Sequence, residues 1–119
     1  MEGARNNKQA RDETASMSVA TAWHAEVVRR AAQLNRKGER RQARRFVERE
    51  LQFFERYCSG LSQALPLVRE IVVLKQNVER DWDERTRKEM EISAYMSQSN
   101  RADYRPARAS WSSRLNDGK

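Results

Sequence analysis

"RKGERRQARRFVERELQFFERY", residues 36–57, carries two opposed signals. Seven of its first fourteen residues are arginine or lysine, which suggests an anionic partner, while the second half is rich in aromatics, which suggests a core. A helical wheel at about 100° per residue separates the two. Lys37, Arg41, Arg45 and Arg49 climb one side at i, i+4 spacing, with Arg40 and Arg44 in the adjacent row. Ala43, Phe46, Val47, Leu51, Phe53, Phe54, Tyr57 and Cys58 fill the opposite half. The stretch reads as an amphipathic helix with a basic outer face, running from about Glu39 to Cys58.

Working outward, Gly38 supplies a stop before this helix and Ser59-Gly60 a stop after it, because a left-handed residue past the last turn costs glycine little. Upstream, Val19, Trp23, Val27, Ala31 and Leu34 recur at spacings of four, four, four and three, which predicts a helix to about Lys37. Ser16 or Ser18 is its expected N-cap. A connection as short as the one around Gly38 makes the two helices an antiparallel hairpin. Downstream, Pro66 suits a first helical turn, and Leu67, Ile71, Leu74 and Val78 form a third stripe, with Val68 and Val72 beside them. The run "LPLVREIVVLK" is apolar on more than one face, so a partner helix or a second copy is expected to cover part of it. A fourth segment, "DERTRKEMEISAYMSQ", continues the third helix or turns back on it. The turn is favoured, since Asp81 and Asp83 suit caps better than helix interiors. Ile92, Tyr95 and Met96 share its weakly apolar side.

The ends read differently. Residues 1–16 are almost devoid of apolar side chains and are expected to be a flexible leader. Residues 98–119, with Pro106 and scattered arginines, are expected to be a basic irregular tail around a helical domain at 17–97. In that tail Tyr104 and Trp111 either pin the segment onto its own domain or dock on a partner. The fold class is therefore all-α: a small bundle of three to four helices built on a helical hairpin, with disordered tails.

At 119 residues and a net charge of +7, one domain with a basic surface is expected. A single cysteine, Cys58, excludes an intrachain disulfide, and neither an apolar run long enough for a membrane span nor a signal peptide appears. An intracellular, cytoplasmic protein is expected. Catalysis is not. His24 is the sole histidine and reads as a half-exposed rim residue. Cys58 at a helix C-terminus gains no activation, and neither metal-ligand spacings nor a glycine-rich phosphate cradle occurs. No cofactor, metal or small-molecule substrate is expected. The acidic group Glu79, Asp81, Asp83 and Glu84 reads as capping plus local helix pairs. Glu50 projects into the aromatic arc and needs a partner, for which Arg29 or Arg30 is available.

"AEVVRRAAQLNRKGERRQARRFVEREL" resembles one tetratricopeptide-type hairpin, with Ala31, Gly38, Ala43 and Leu51 at matching places and Arg40 where that family carries an aromatic. One repeat cannot form the stacked array, which needs about three. "DWDERTRKEMEISAYMSQSNRADYR" is similar to the helical extension that follows some von Willebrand factor A modules, although the chain has no Asp-x-Ser-x-Ser motif. The second resemblance implies protein–protein contact. The expected function is accordingly a non-catalytic interaction module or subunit, with a protein partner or a second copy as its target. Its basic face is Arg36, Lys37, Arg40, Arg41, Arg44, Arg45 and Arg49, and its tail contacts are Tyr104, Arg105, Arg108 and Trp111. The alternative is a nucleic-acid-associated protein that tracks phosphates through the same arginines, against which Glu39 and Glu48 interrupt the face and no aromatic lies among the arginines.

Overall fold

The computed structural model describes residues 12–98, with side chains as far as Tyr95, together with Trp111 and Leu115, and four α-helices lie within residues 12–98. They are α1 (Glu13–Arg36), α2 (Arg40–Cys58), α3 (Leu65–Asn77) and α4 (Glu84–Gln98), with a 3₁₀ turn at Ser62–Ala64 leading into α3. No strand occurs among the described residues. The fold is the all-α bundle that the periodicities predict.

Helix α1 starts earlier than either serine would allow. Asp12 is the cap: its Oδ1 accepts from the backbone N–H of Thr14 at 3.0 Å and of Ala15 at 3.2 Å. Ser16 lies inside the helix and is buried, so the expected leader boundary at residue 16 is corrected to one no later than Asp12. At the other end Gly38 has φ +79°, and two backbone bonds close the terminus: Glu39 N–H to Leu34 O at 3.0 Å and Gly38 N–H to Asn35 O at 3.0 Å. This 6→1 and 5→2 pairing is a Schellman motif. It reverses the chain in three residues and sets α2 against α1. After α2, Gly60 has φ +82° and Leu61 N–H donates to Cys58 O at 2.9 Å.

Helix α1 is central, packing on α2, α3 and α4, with its widest interface on α4. That position changes which face it buries. Ala20, His24, Val27, Val28, Ala31, Ala32 and Asn35 are inside, whereas Val19 is 49% exposed and Trp23 and Leu34 are only partly covered. Val27 and Ala31 of the expected stripe are buried, and the buried face is widened by the adjacent row Ala20, His24, Val28, Ala32 and Asn35, because small alanines let three helices approach the same rod. His24 is correspondingly not a rim residue. It is 2% exposed and its Nε2 lies 2.7 Å from Glu70 Oε1 on α3. Trp111 stacks obliquely nearby, with ring centroids 6.4 Å apart. Trp111 and Leu115 are both helical and buried in the core. At these two positions the chain is ordered into the bundle rather than irregular.

Leu67, Ile71, Leu74 and Val78 face the core as predicted, with Val68, Val72 and Val73 packed partly against it. Most of the apolar excess of α3 is therefore consumed internally, and Leu65 is the large side chain left exposed. The chain then breaks where the aspartates suggested, and Asp83 Oδ1 accepts from Thr86 N–H at 2.9 Å. The face of α4 is not the expected one. Thr86, Met90, Ser93 and Ala94 are buried, while Ile92 and Tyr95 are 55% and 68% exposed.

With so weak an apolar face, α4 depends on polar ties at its start. Asn35, 1% exposed, donates through Nδ2 to Val78 O at 3.2 Å and Arg80 O at 2.6 Å. Its Oδ1 accepts from Arg87 Nε at 3.1 Å and, at 3.4 Å, from Trp82 N–H. The Trp82 indole in turn donates to Asn77 O at 3.0 Å. Replacing one amide here leaves several groups unpaired at once, and each buried orphan costs ~1–3 kcal/mol. Asn35→Ala is expected to lower unfolding free energy by about 3 kcal/mol in urea titrations. Asn35→Asp, which sets a carboxylate against two carbonyls, is expected to be no better. A loss below about 1 kcal/mol in both would show the loop to be held by other contacts.

Candidate partner-binding surface

All seven basic residues picked from the sequence are exposed, but the fold divides them into two groups. Arg36, the last residue of α1, is engaged on both sides by α4. It donates to Glu84 Oε2 at 2.8 Å and Oε1 at 3.3 Å, and to Glu91 Oε2 at 2.6 Å and Oε1 at 3.3 Å. Arg40 pairs with Asp81 at 3.3 Å. Arg44 pairs with Glu48 at 2.9 Å and with Glu79 at 3.4 Å. The acidic group at 79–84 therefore does more than cap: together with Glu91 it forms a counter-charged strip along three arginines of the expected face. Exposed pairs add little to stability one by one, so their larger effect is to quench the positive field there.

The second group is Lys37, Arg41, Arg45 and Arg49. None has an acidic partner within ion-pair distance among the described residues. Arg41, Arg45 and Arg49 stand on α2 at four-residue intervals, and Arg56, two turns beyond Arg49, extends the row. Arg56 was not singled out from the sequence because it lies in the aromatic half of the stretch, although its i+7 spacing from Arg49 places it on the same side. The row spans about 22 Å at 1.5 Å per residue.

Its two flanks differ. Toward α3 lies a groove of about 480 Å³ lined by Arg45, Arg49 and Lys75 but also by Glu48 and Glu55. Toward α1 lies an aromatic seam. Phe53 is 48% exposed, Phe46 and Tyr57 are half-buried, and Trp23 meets Phe54 edge-on at 5.3 Å and Tyr57 at 5.7 Å. Glu50 sits in this seam without an arginine. Its Oε1 accepts from Trp23 Nε1 at 2.8 Å, while Arg29 pairs with Glu26 on its own helix and Arg30 lies 5.8 Å over the Phe46 ring. The expected Glu50 ion pair is replaced by an indole hydrogen bond.

The remaining candidates are quickly placed. Trp111 is 0% exposed, so its ring belongs to the protein's own core rather than to a docking surface. Tyr104, Arg105 and Arg108 lie outside the described residues. Cys58 is buried at the end of α2. Among the described residues no group of three or more His, Cys, Asp or Glu is placed to hold a metal, and no helix is long and apolar enough to cross a membrane. Comparisons with family models, curated proteins and solved structures return no match.

Hydrogen bonds from Arg36, then Arg87, hold the Glu84 carboxyl below its ordinary value. The same contacts, Glu91 foremost and then Glu84, raise the Arg36 guanidinium, so it stays charged at every working pH. A carboxyl with a depressed folded pKa contributes stability above its unfolded value of 4.5 and loses it as pH falls through the lower folded value. Arg36→Met is therefore expected to flatten the fall in urea midpoint between about pH 6 and about pH 3. An unchanged acid slope in Arg36→Met would detach Glu84 from acid stability.

Proposed function

We propose that this protein is a non-catalytic helical interaction module that presents the row Arg41, Arg45, Arg49 and Arg56 of α2, with Lys37 at its edge, to an acidic protein partner inside the cell. The observation that supports this is the division of the arginines. Arg36, Arg40 and Arg44 are matched by carboxylates of the protein's own 79–91 segment, whereas the four guanidiniums of the outward row make no ion pair among the described residues. Four like charges at helical spacing repel one another mildly, and an external anionic surface relieves that repulsion. The resemblance to the helical extension that follows some von Willebrand factor A modules points to the same class of function.

Protein and nucleic-acid partners separate on salt. A protein that neutralises phosphates releases condensed counterions, and log K falls against log[salt] with a slope of about −0.9 per contact. Four arginines on B-form DNA would give a slope near −3.6. The full-length chain, captured with its partners at two salt concentrations with and without nuclease, is expected to retain an acidic protein in all four conditions. Arg41→Glu/Arg45→Glu is expected to release it, through a slower on-rate and a weaker complex. Loss of the captured material on nuclease treatment, with the full phosphate slope, would assign the row to nucleic acid instead.

A further inference from the structure

The two flanks of the basic row decide more than the sign of the partner's charge. On the α3 side the groove is of mixed charge, Glu48 and Glu55 standing among Arg45, Arg49 and Lys75, and Leu51 is its one apolar lining residue. On the α1 side Phe53 is half exposed beside Arg49 and Arg56, which stand one turn before and one turn after it on α2. Across the seam, Arg30 of α1 lies over the Phe46 ring. The apolar strip is thus edged by guanidiniums on both sides, and the one carboxylate described within it, Glu50, accepts the Trp23 indole hydrogen bond, so acidic groups of a partner are drawn to the edges of the strip rather than to its middle.

We infer that the occupant of this seam is an acidic amphipathic helix. Its apolar residues, at i, i+3/i+4 and i+7, would cover Phe46 and Phe53, and glutamates or aspartates on either side of that stripe would meet Arg49 and Arg56 on one edge and Arg30 on the other. The inference rests on the proposed reading of the basic row and adds the partner's shape and its second chemical requirement. Charge alone would satisfy the arginines. Only an apolar stripe also removes the exposed Phe53 ring from water, and a helix-in-groove ligand supplies both at matching spacing.

Three fluorescent fifteen-residue peptides test it on the full-length chain by anisotropy: poly-glutamate, a Glu/Leu sequence with leucines at helical spacing, and the same composition scrambled. A fifteen-nucleotide oligothymidine is the fourth probe. The amphipathic peptide is expected to bind about tenfold more tightly than either other peptide, the difference that burying one large apolar side chain makes. Phe53→Ser, an exposed position that leaves the core intact, is expected to erase that advantage while poly-glutamate binding stays unchanged. Arg49→Glu/Arg56→Glu is expected to weaken all three peptides.

The failures are distinguishable. If poly-glutamate binds as well as the amphipathic peptide, or Phe53→Ser changes nothing, the helix inference falls and the acidic-partner reading stands. If Arg41→Glu/Arg45→Glu and Arg49→Glu/Arg56→Glu both bind every anionic probe like the parent chain, the acidic-partner reading falls as well. Preference for oligothymidine over all three peptides, lost in Phe53→Ser, would assign the ring to base stacking and overturn the inference. Self-association in sizing runs, abolished by Phe53→Ser, would give the seam to a second copy and overturn it too.

Discussion

The amide of Asn35 is the joint on which the arrangement turns. It lies on the last turn of α1, sealed from solvent, and its two ends bind opposite things: Nδ2 holds the carbonyls of Val78 and Arg80, and Oδ1 holds Arg87 on α4. A buried amide with its donors and acceptor engaged fixes direction as well as distance, because hydrogen bonds weaken steeply off axis. The loop after α3 can therefore leave the core along one path. Trp82 then closes the gap by donating to Asn77 O, and Asp83 caps the next helix. Helix α4, whose buried apolar side chains among the described residues are Met90 and Ala94, is tied to α1 at its start by this polar joint.

That placement sets the electrostatics. Once α4 lies along α1, Glu84 and Glu91 close on Arg36, and Asp81 and Glu79 come under Arg40 and Arg44. One side of the basic stretch is compensated from within, and Arg41, Arg45, Arg49 and Arg56, which make no ion pair among the described residues, lie on the side of α2 that looks away from α4. An uncharged Asn35 on α1 thus decides which arginines remain available to another molecule, through the geometry of the loop it holds.

How much of this could be read in the residues depends on how many neighbours each helix has. Helix α2 lies against two others and solvent, so its wheel divides cleanly, and Gly38 and Asp83 mark their breaks because backbone conformation and capping are local. Helix α1 is touched on three sides, so no single stripe describes it. Its tightest positions take alanine, histidine and asparagine, which pattern reading assigns to the outside, and large Val19 is left in water. Buried polar residues such as His24 and Asn35 are invisible to periodicity, since their burial depends on partners 46 and 43 residues away. Trp111 is buried in the protein's own core, the first of the two alternatives that its sequence context offered. The division of the arginines was hidden for a related reason: Arg36, Arg40 and Arg44 look identical to Arg41, Arg45 and Arg49 until the 79–91 segment is placed.

The aromatic seam between α1 and α2 is left open by the same logic. The faces of α1 that carry Ala20, Val28, Ala32 and Asn35 are buried, while Trp23 and Arg30 meet the aromatics of α2 at Phe54, Tyr57 and Phe46. A fully apolar row there would be an aggregation hazard. Glu50 prevents that. Its carboxylate accepts the Trp23 indole proton at 2.8 Å and stays half in water, so the seam carries a hydrated charge at its middle and Arg30 at its edge. An ionised group cannot be covered by an apolar surface without a large desolvation cost, which bars indiscriminate hydrophobic contact. A ligand that keeps Glu50 wet while covering Phe53 escapes that cost, and the seam is in this sense selective as well as soluble.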